Sequence, residues 1–260
     1  MKKEFELIKK QKMLINLIVF IIIFTTMKKL FLILMAAFAM TTMGACDKDN
    51  IDNPNPNSDL STEEWVDLGL PSGLLWASCN LGANVPEGYG NYYSWGETKP
   101  KEEYSWSTYH YCTVYDDGSL QTLTKYNNRS SLGDTDTLTV LQAMDDAATA
   151  AFGSGVRIPT MEEWLELVDN TSTEWTTVNG VPGRKFTATN GKSIFLPAAG
   201  SRRDLKLEDA GFYGRYWASM LGQDYPSRAW GYGFNAIFQK KGRVGRNNGL
   251  SVRPVRSASL

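Results

Sequence analysis

Closely spaced turn signals constrain the fold of this chain more than any other feature of its sequence. Between residues 61 and 260 they recur as Pro-Ser-Gly at 71–73, Asp-Asp-Gly at 116–118 and Asn-Gly at 179–180 and 190–191. Glycine and asparagine accept the backbone angles of tight reversals, so the segments between them are short. Six of these segments have the apolar and aromatic residues typical of strands, at residues 74–77, 92–95, 193–196, 216–219, 229–234 and 251–255.

Two helices are predicted among these strands. The first covers residues 140–152, is rich in alanine and ends at Gly153, with Asp145 and Asp146 expected on its exposed face. The second follows Thr160, which forms a capping box with Glu163 three positions later. Short antiparallel strands, long loops and two helices together predict an α+β domain over residues 61–260.

The first 45 residues have the composition of a targeting segment. Two apolar runs at residues 14–24 and 30–43 are each shorter than the roughly 20 residues that span a membrane. The second run follows Met27-Lys28-Lys29 and precedes Gly44-Ala45-Cys46, which is the order of a secretory signal. A cysteine after Gly-Ala resembles the lipobox of bacterial lipoproteins, which implies that Cys46 is acylated and becomes the first residue. A transmembrane anchor with a chance cysteine is the alternative.

The segments on either side of this signal leave two questions open. Met27 begins a complete signal by itself, so residues 1–26 are either an over-extended start or a real upstream anchor helix. Residues 46–60 are rich in Asp, Asn and Pro and are expected to form a flexible tether. Their acidic start also resembles the signal that exports Bacteroides-type lipoproteins to the cell surface; a plain linker is the alternative. Either way, we expect an outer membrane lipoprotein that faces the periplasm or the exterior, held by the acyl chains of Cys46.

The distribution of charge argues against a nucleic-acid partner. The formal net charge is −1, but residues 1–45 carry +5, residues 46–181 carry −16 and residues 182–260 carry +10. Acidic and basic segments of one domain partly neutralise each other, so a basic surface for nucleic acid is not expected. One histidine and three cysteines exclude most His- or Cys-ligated metal sites, and we expect neither a metal nor another cofactor.

Six segments resemble, in order, the motifs of a known family. They cover residues 65–83, 86–97, 157–164, 193–200, 216–219 and 251–255. The set is similar to the Fibrobacter succinogenes major paralogous domain family, with Ala218 where serine is commoner. The resemblance implies a C-type-lectin-like fold for residues 61–260, with its first and last strands paired. It also implies a secreted or lipid-anchored protein, and it says little about the biochemical role.

Enzymatic chemistry is not indicated by the sequence. His110 is the only histidine, and the chain has no Gly-x-Ser-x-Gly elbow to supply a serine nucleophile beside it. Glu97 is a conceivable general acid, but a glycosidase needs a second carboxylate about 5–10 Å away. The sugar-binding loops of calcium-dependent lectins are missing. We therefore expect a non-enzymatic domain that binds a glycan or a protein; a hydrolase that acts on cell-envelope or polysaccharide substrates is the alternative.

A pair of cysteines and one threonine outside the tether are predicted sites of covalent modification. Cys79 and Cys112 are predicted to form a disulfide, because an exported domain with two cysteines at long spacing suggests one. Two free thiols and a redox pair, as used by the similar formylglycine-generating enzymes, are the alternatives; those enzymes carry their cysteines later in the domain.

Asp136-Thr137-Leu138 resembles the acceptor motif of Bacteroides-type O-glycosylation, which makes Thr137 a predicted glycosylation site.

The basic and aromatic last third of the chain is the predicted ligand face. Arginine, tyrosine and tryptophan are enriched where proteins bind their partners, and guanidinium groups pair with carboxylates. We expect one exposed surface for an anionic glycan or an acidic protein loop, formed by Arg202, Arg203, Tyr213, Arg215, Arg228, Trp230, Arg243 and Arg246. Alternatively, the arginines offset the acidic half within the domain and the tryptophans belong to the core.

Overall fold

The computed structural model describes residues 65–258, which form an α+β domain built mostly of antiparallel sheets. The predicted signal at residues 1–45, the tether at 46–60 and the lipidation site Cys46 lie outside the described residues. The described chain contains two α-helices, α1 (Ala147–Phe152) and α2 (Met161–Asp169), so the expected class is confirmed. Short 3-10 helices lie at Trp106–Thr108, Ser130–Leu132 and Ala143–Asp145.

The strands of the described chain are mostly short, as the turn signals require. They are β1 (Trp65–Asp67), β2 (Leu74–Ala77), β3 (Cys112–Val114), β4 (Leu120–Leu123), β5 (Val156–Arg157), β6 (Thr171–Val178), β7 (Val181–Ala188), β8 (Ser193–Pro197), β9 (Ser201–Arg203), β10 (Lys206–Glu208), β11 (Gly214–Leu221), β12 (Arg228–Phe234), β13 (Gln239–Gly245) and β14 (Val255–Ser257). They pair in the orders β1-β2-β14-β5, β3-β4, β6-β7-β8, β9-β10 and β11-β12-β13. The predicted strand at residues 92–95 is instead a loop with one bridge, from Tyr93 to Leu250.

The two ends of the described chain are joined in one sheet. Strand β14 lies antiparallel beside β2, with Val255 opposite Trp76, so the expected pairing of the strand at residues 74–77 with the last strand is confirmed. The last strand begins four residues later than predicted, because Ser251 bridges Tyr216 of β11 instead. Arg253 lies fully buried between these two connections. Its guanidinium donates to Asn80 Oδ1 and to the carbonyl oxygens of Ala77, Ser78 and Phe195 at 2.5–3.0 Å.

Helix α2 forms as its capping box predicts. Thr160 Oγ1 accepts from the Glu163 amide at 3.2 Å, and the Glu163 carboxylate accepts from the Thr160 amide at 2.8 Å. The same carboxylate takes two hydrogen bonds from Arg157 at 2.6 and 2.7 Å. Trp164 on the buried face stacks on Tyr232 of β12 at 5.0 Å between ring centroids, so α2 packs directly under the β11-β12-β13 sheet.

Helix α1 is shorter than predicted. The Asp146 carboxylate accepts from the amides of Ala148 and Thr149, which makes Asp146 the N-cap, and it also accepts from the amide of Ile158. A residue in this role has extended backbone angles, so the helix begins only at Ala147. The prediction of a helix over residues 140–152 was therefore too long, and the exposed position given to the two aspartates was wrong, since both are 3% exposed.

Asp145 is the centre of a buried polar cluster. Its carboxylate accepts hydrogen bonds from the hydroxyls of Tyr111 and Tyr126 and pairs with Lys125 Nζ at 2.6 Å. Burial alone would raise the pKa of Asp145, but the hydrogen bonds from Lys125 and the two tyrosines outweigh it and lower this pKa. The carboxylate is thus held ionised inside the acidic half of the domain.

Candidate functional site

Four of the eight predicted ligand residues line one open groove of about 650 Å³. They are Arg203 at the end of β9, Arg215 near the start of β11, Arg228 at the start of β12 and Arg243 in β13. Cavities that hold small ligands have volumes of about 300–1,000 Å³, so the groove has the size of a binding site. The structure thus gathers half of the predicted residues on one surface.

Backbone pairing explains why these arginines meet. Arg228 lies opposite Gly245 at the far end of the β12–β13 hairpin, so the end of β13 is beside the start of β12. The β9–β10 hairpin is tied to the loop after β13, since Arg202 and Gly249 exchange two backbone hydrogen bonds of 2.7 and 2.9 Å. The groove therefore lies between the β9–β10 hairpin and the β11-β12-β13 sheet.

Arg215 is held in place by partners that leave it partly exposed. Its guanidinium donates to Ser201 Oγ at 2.7 Å and pairs with Asp209 Oδ2 at 2.9 Å. It also lies over the Tyr213 ring, 4.6 Å from the centroid. The Asp209 side chain is about half exposed, and a surface ion pair of this kind contributes only about 0–1 kcal/mol. An incoming anion can replace it at little cost.

Arg243 has a similar environment. It pairs with Asp224 Oδ2 at 2.9 Å, and the Asp224 side chain is 81% exposed. The guanidinium lies 5.0 Å from the Tyr225 ring centroid and 5.3 Å from that of Trp230. Aromatic contacts of this type orient the guanidinium without using its N–H groups. Trp230 is half-buried against the core, so it supports Arg243 rather than lining the groove.

Two other predicted residues, Tyr213 and Arg202, do not line the groove. Tyr213 lines a smaller cavity of about 250 Å³ that shares Arg215 and Arg243 with the groove. Arg202 lies over the Tyr92 ring at 5.3 Å and lines a separate cleft of about 380 Å³. Tyr213 thus belongs to the neighbourhood of the site, whereas Arg202 faces a different part of the surface.

Arg246 is a structural residue, and the expectation that it contacts a ligand is wrong. Its side chain is fully buried. Nε donates to the Tyr109 hydroxyl at 2.8 Å, and the other nitrogens donate to the carbonyl oxygens of Tyr126, Pro226 and Lys125 at 3.0–3.2 Å. These partners solvate the charge inside the protein, so Arg246 joins three loops and cannot reach the groove.

Several residues that line the groove were not predicted from the sequence. Trp106 comes from a 3-10 helix about 100 residues before the arginines, and Ser201, Asp204, Asn247 and Asn248 supply polar side chains. Trp106 is partly exposed and packs edge-on against Tyr109 at 5.5 Å. The only hint was the Asn-Asn-Gly turn at 247–249, which indicates a reversal and not a site.

The two cysteines are free thiols in the structure. Cys112 Sγ donates to the carbonyl oxygen of Trp106 at 3.2 Å, whereas Cys79 Sγ lies 3.5 Å from Ser78 Oγ. The two sulfurs are not bonded to each other, so the predicted disulfide is not formed in this structure. Burial raises the pKa of Cys112, which keeps this thiol protonated and poorly nucleophilic.

The remaining predicted groups are Thr137, Glu97 and His110. Thr137 is exposed, and the Asp136 carboxylate before it accepts from the amides of Tyr126 and Leu138 at 2.7 and 2.9 Å, so the segment is held in a fixed position. Glycosylation of Thr137 stays a prediction. Glu97 pairs with Lys101 at 2.8 Å and accepts from the amide of the exposed His110.

Comparison with known proteins adds no relative. No protein-family model matches the sequence, and neither the curated proteins nor the solved structures give a significant match. Within residues 65–258, no helix is both long and apolar enough to cross a membrane. The same residues contain no group of three or more His, Cys, Asp or Glu side chains placed to hold a metal ion. The candidate function therefore rests on the geometry of the groove.

Proposed function

We propose that this chain is a lipid-anchored, exported lipoprotein whose domain binds an anionic glycan or an acidic protein segment in the arginine groove. Acylation of Cys46 is supported by the basic start, the apolar run and the Gly-Ala pair before it. The acyl chains hold the protein in the outer membrane, on the periplasmic side or at the cell surface. The domain has no enzymatic role in this proposal and needs no cofactor.

For the domain itself we propose a C-type-lectin-like fold and membership of the Fibrobacter succinogenes major paralogous domain family. The paired chain ends, β2 with β14, support this assignment. So does the burial of residues from its motifs, since Trp76, Trp164, Trp217 and Arg253 are all fully buried. Motifs that specify a fold are expected to place their large residues together in the interior, as these four residues are placed.

The observation that carries the proposed binding function is the set of four arginines in the groove. The carboxylates paired with three of them, Glu208, Asp209 and Asp224, do not line the groove, and their side chains are 36%, 49% and 81% exposed. Arg203, Arg215, Arg228 and Arg243 line it, and Asp204 is the only carboxylate among its described lining residues. Guanidinium groups bind carboxylate and sulfate in pairs of parallel hydrogen bonds, and they do so best where the surface is concave and partly dry. The groove thus offers several such positions within one site.

The same lining favours binding over polysaccharide hydrolysis. Hydrolysis of a glycosidic bond uses two carboxyl groups on opposite sides of the bond, about 5–10 Å apart. In the groove, Asp204 has no second carboxylate beside it among the described lining residues, and Glu97 does not line it. The hydrolase alternative therefore lacks its pair of acids at the site where a sugar would bind.

The test is a binding titration with the full chain in detergent. Acidic and neutral oligosaccharides and acidic peptides are compared at low and physiological ionic strength. We expect binding of acidic ligands only, weakened by salt because charges are screened beyond about 8 Å at 0.15 M. The combined change Arg215→Ala, Arg228→Ala and Arg243→Ala should abolish it.

A matched control removes three positive charges elsewhere. Lys99, Lys185 and Lys192 do not line the groove, and their combined change to alanine alters the net charge by the same amount. This control should bind as the unchanged protein does. Equal loss in both triple variants would show that net charge, and not the groove, attracts the ligand.

A further inference from the structure

A second cavity of about 250 Å³ adjoins the groove on the β11-β12-β13 sheet. Arg215, Arg243 and Val244 line both cavities, so the two cavities are adjacent. The second cavity is also lined by Tyr213, Lys240 and three glycines, Gly231, Gly233 and Gly242. We call this cavity the glycine trough.

The register of β12 and β13 places these glycines together. Gly231 lies directly opposite Gly242, and Gly233 lies directly opposite Lys240. Directly opposite residues point to the same face of an antiparallel pair, and so do alternate residues along one strand. One face of this hairpin therefore carries a strip without side chains, bordered by Lys240.

Packing explains two of the three glycines. A Cβ atom on Gly231 would lie 2.7 Å from the Tyr216 carbonyl oxygen, and one on Gly233 would lie 2.8 Å from the Tyr213 ring. A Cβ atom on Gly242 would meet no atom within 4 Å, and its φ is not in the left-handed region. Neither the packing nor the backbone thus requires glycine at position 242.

A glycine that the fold does not require lowers the stability of the strand and adds no packing contact. In the interior of a strand, glycine destabilises by roughly 0.5–1 kcal/mol relative to alanine. Glycine in such a position often marks a bulge, a tight bend, or a place where a ligand or another backbone approaches closely. No bulge interrupts the pairing of β12 with β13. Gly242 is therefore an observation that points to a ligand independently of the arginines.

We propose that the glycine trough is a second subsite, and that one linear acidic oligosaccharide occupies the groove and the trough together. The proposal rests on the function proposed above and names its ligand class. The trough is smaller than the roughly 300–1,000 Å³ of a complete ligand site, so it holds one end of a longer molecule. Arg228 and Arg243 line the groove, Arg215 lies opposite Gly233 where the two cavities meet, and Lys240 lines the trough. Cations spaced along one path suit a polymer with repeating acidic groups.

Two features favour a sugar chain over an acidic peptide. Aromatic rings lie in both cavities, Trp106 in the groove and Tyr213 in the trough, and sugar rings pack their C–H faces on such rings. A peptide would gain most by pairing with the edge strand β13, but this strand carries Lys240 and Lys241. Charged lysines on an edge strand discourage the addition of another strand.

The experiment uses the full chain in detergent and galacturonic acid oligomers of increasing length as the probe. For the unchanged protein, affinity should rise with length until both cavities are filled. Gly242→Val should lower the affinity for long oligomers about tenfold, equivalent to about 1.4 kcal/mol, and leave the shortest bound oligomers unaffected. Gly242→Ala should give a smaller loss, because a methyl group fills less of the trough.

The fold should survive these changes. Position 242 has room for a Cβ atom, and valine favours strands, so thermal unfolding of Gly242→Val should occur at or above the temperature of the unchanged protein. Lys241→Val is the matched control, since Lys241 is exposed on the opposite face of the same strand. It should keep the dependence of affinity on oligomer length.

The outcomes separate a failure of the second subsite from a failure of the sugar assignment and from a failure of the proposed function. If affinity does not depend on length, or if Gly242→Val binds long oligomers normally, the second subsite is wrong while binding in the groove stands. If poly-glutamate shows the same length dependence and the same sensitivity to Gly242→Val, the assignment to a sugar is wrong. If no acidic oligomer binds, or the triple arginine variant still binds, the proposed function itself fails.

Discussion

The interior and the groove of this domain use the same residue in opposite ways. Arg246 and Arg253 are fully buried, and their N–H groups donate mainly to backbone carbonyl oxygens. Arg215 and Arg243 are 28% and 30% exposed, and the aspartates that they pair with are half or more exposed. A guanidinium whose donors are occupied by carbonyl oxygens joins loops, whereas one that pairs with an exposed carboxylate can exchange it for a ligand.

The interior arginines also create the conditions for the groove. A loop-rich domain leaves many backbone carbonyl groups without a partner in a sheet or helix, and burying them unpaired is costly. Arg246 satisfies three such groups at once, and its own amide donates to Ser227 of the groove at 3.1 Å. The loop that follows supplies Asn247 and Asn248, so the interior arginine positions part of the groove wall.

The largest expected effect comes from removing an interior arginine. Arg246→Met should lower the free energy of unfolding by about 3 kcal/mol or more, since each buried partner left unpaired costs about 1–3 kcal/mol. Denaturant unfolding of the full chain in detergent measures this. Arg228→Met is the matched change in the groove and should stay within about 0.5 kcal/mol. Equal losses for the two variants would remove the distinction between interior and groove.

A second prediction concerns the interior carboxylate of Asp145. Its pKa is lowered in the folded state, so it stabilises the fold above the ordinary aspartate pKa, and this contribution is lost as the pH falls through that value toward the lowered one. Asp145→Asn should therefore reduce stability at pH 7 by about 1–3 kcal/mol and flatten the acid part of the profile. Asp116→Asn, on an exposed turn, should leave the free energy of unfolding at pH 7 unchanged. A profile for Asp145→Asn that matches the unchanged protein would show that the cluster does not hold its charge.

The smallest expected effect is a gain of binding at the groove. Asp224→Asn removes the exposed carboxylate that pairs with Arg243, so it should raise the affinity for an acidic oligosaccharide by up to about fivefold, in line with the 0–1 kcal/mol of a surface pair. Its effect on unfolding should be negligible. An unchanged or reduced affinity would mean that Asp224 orients Arg243 for binding and does not compete with the ligand.

Features specified by neighbouring residues were predictable from the sequence. Helix α2 was found because Thr160 and Glu163 cap it from within one turn. Its partner α1 was misjudged because Asp146 also binds the amide of Ile158, twelve residues later, which fixes the cap through a contact invisible to local patterns. The strand pairing of the chain ends was found through a family resemblance and not through periodicity.

The candidate site was predictable only in part. Composition indicated a basic, aromatic surface, but Arg243 and Arg246 are three residues apart and the sequence does not show which of them is buried. That difference depends on Tyr109 and Tyr126, whose rings enclose Arg246 and which lie more than 100 residues earlier. Trp106 was missed for the same reason, since its place in the groove depends on tertiary contacts.

Chemical labelling of the arginines distinguishes the exposed groove arginines from the buried ones and shows which of them a ligand covers. A dicarbonyl reagent is applied to the folded protein with and without a long galacturonic acid oligomer, and modified residues are identified by mass spectrometry. We expect Arg215, Arg228 and Arg243 to react with the reagent in the folded protein and to be protected from it by the oligomer. Arg246 and Arg253 should react only after unfolding. Labelling of Arg246 in the folded protein, or groove arginines that the oligomer leaves unprotected, would contradict this expectation.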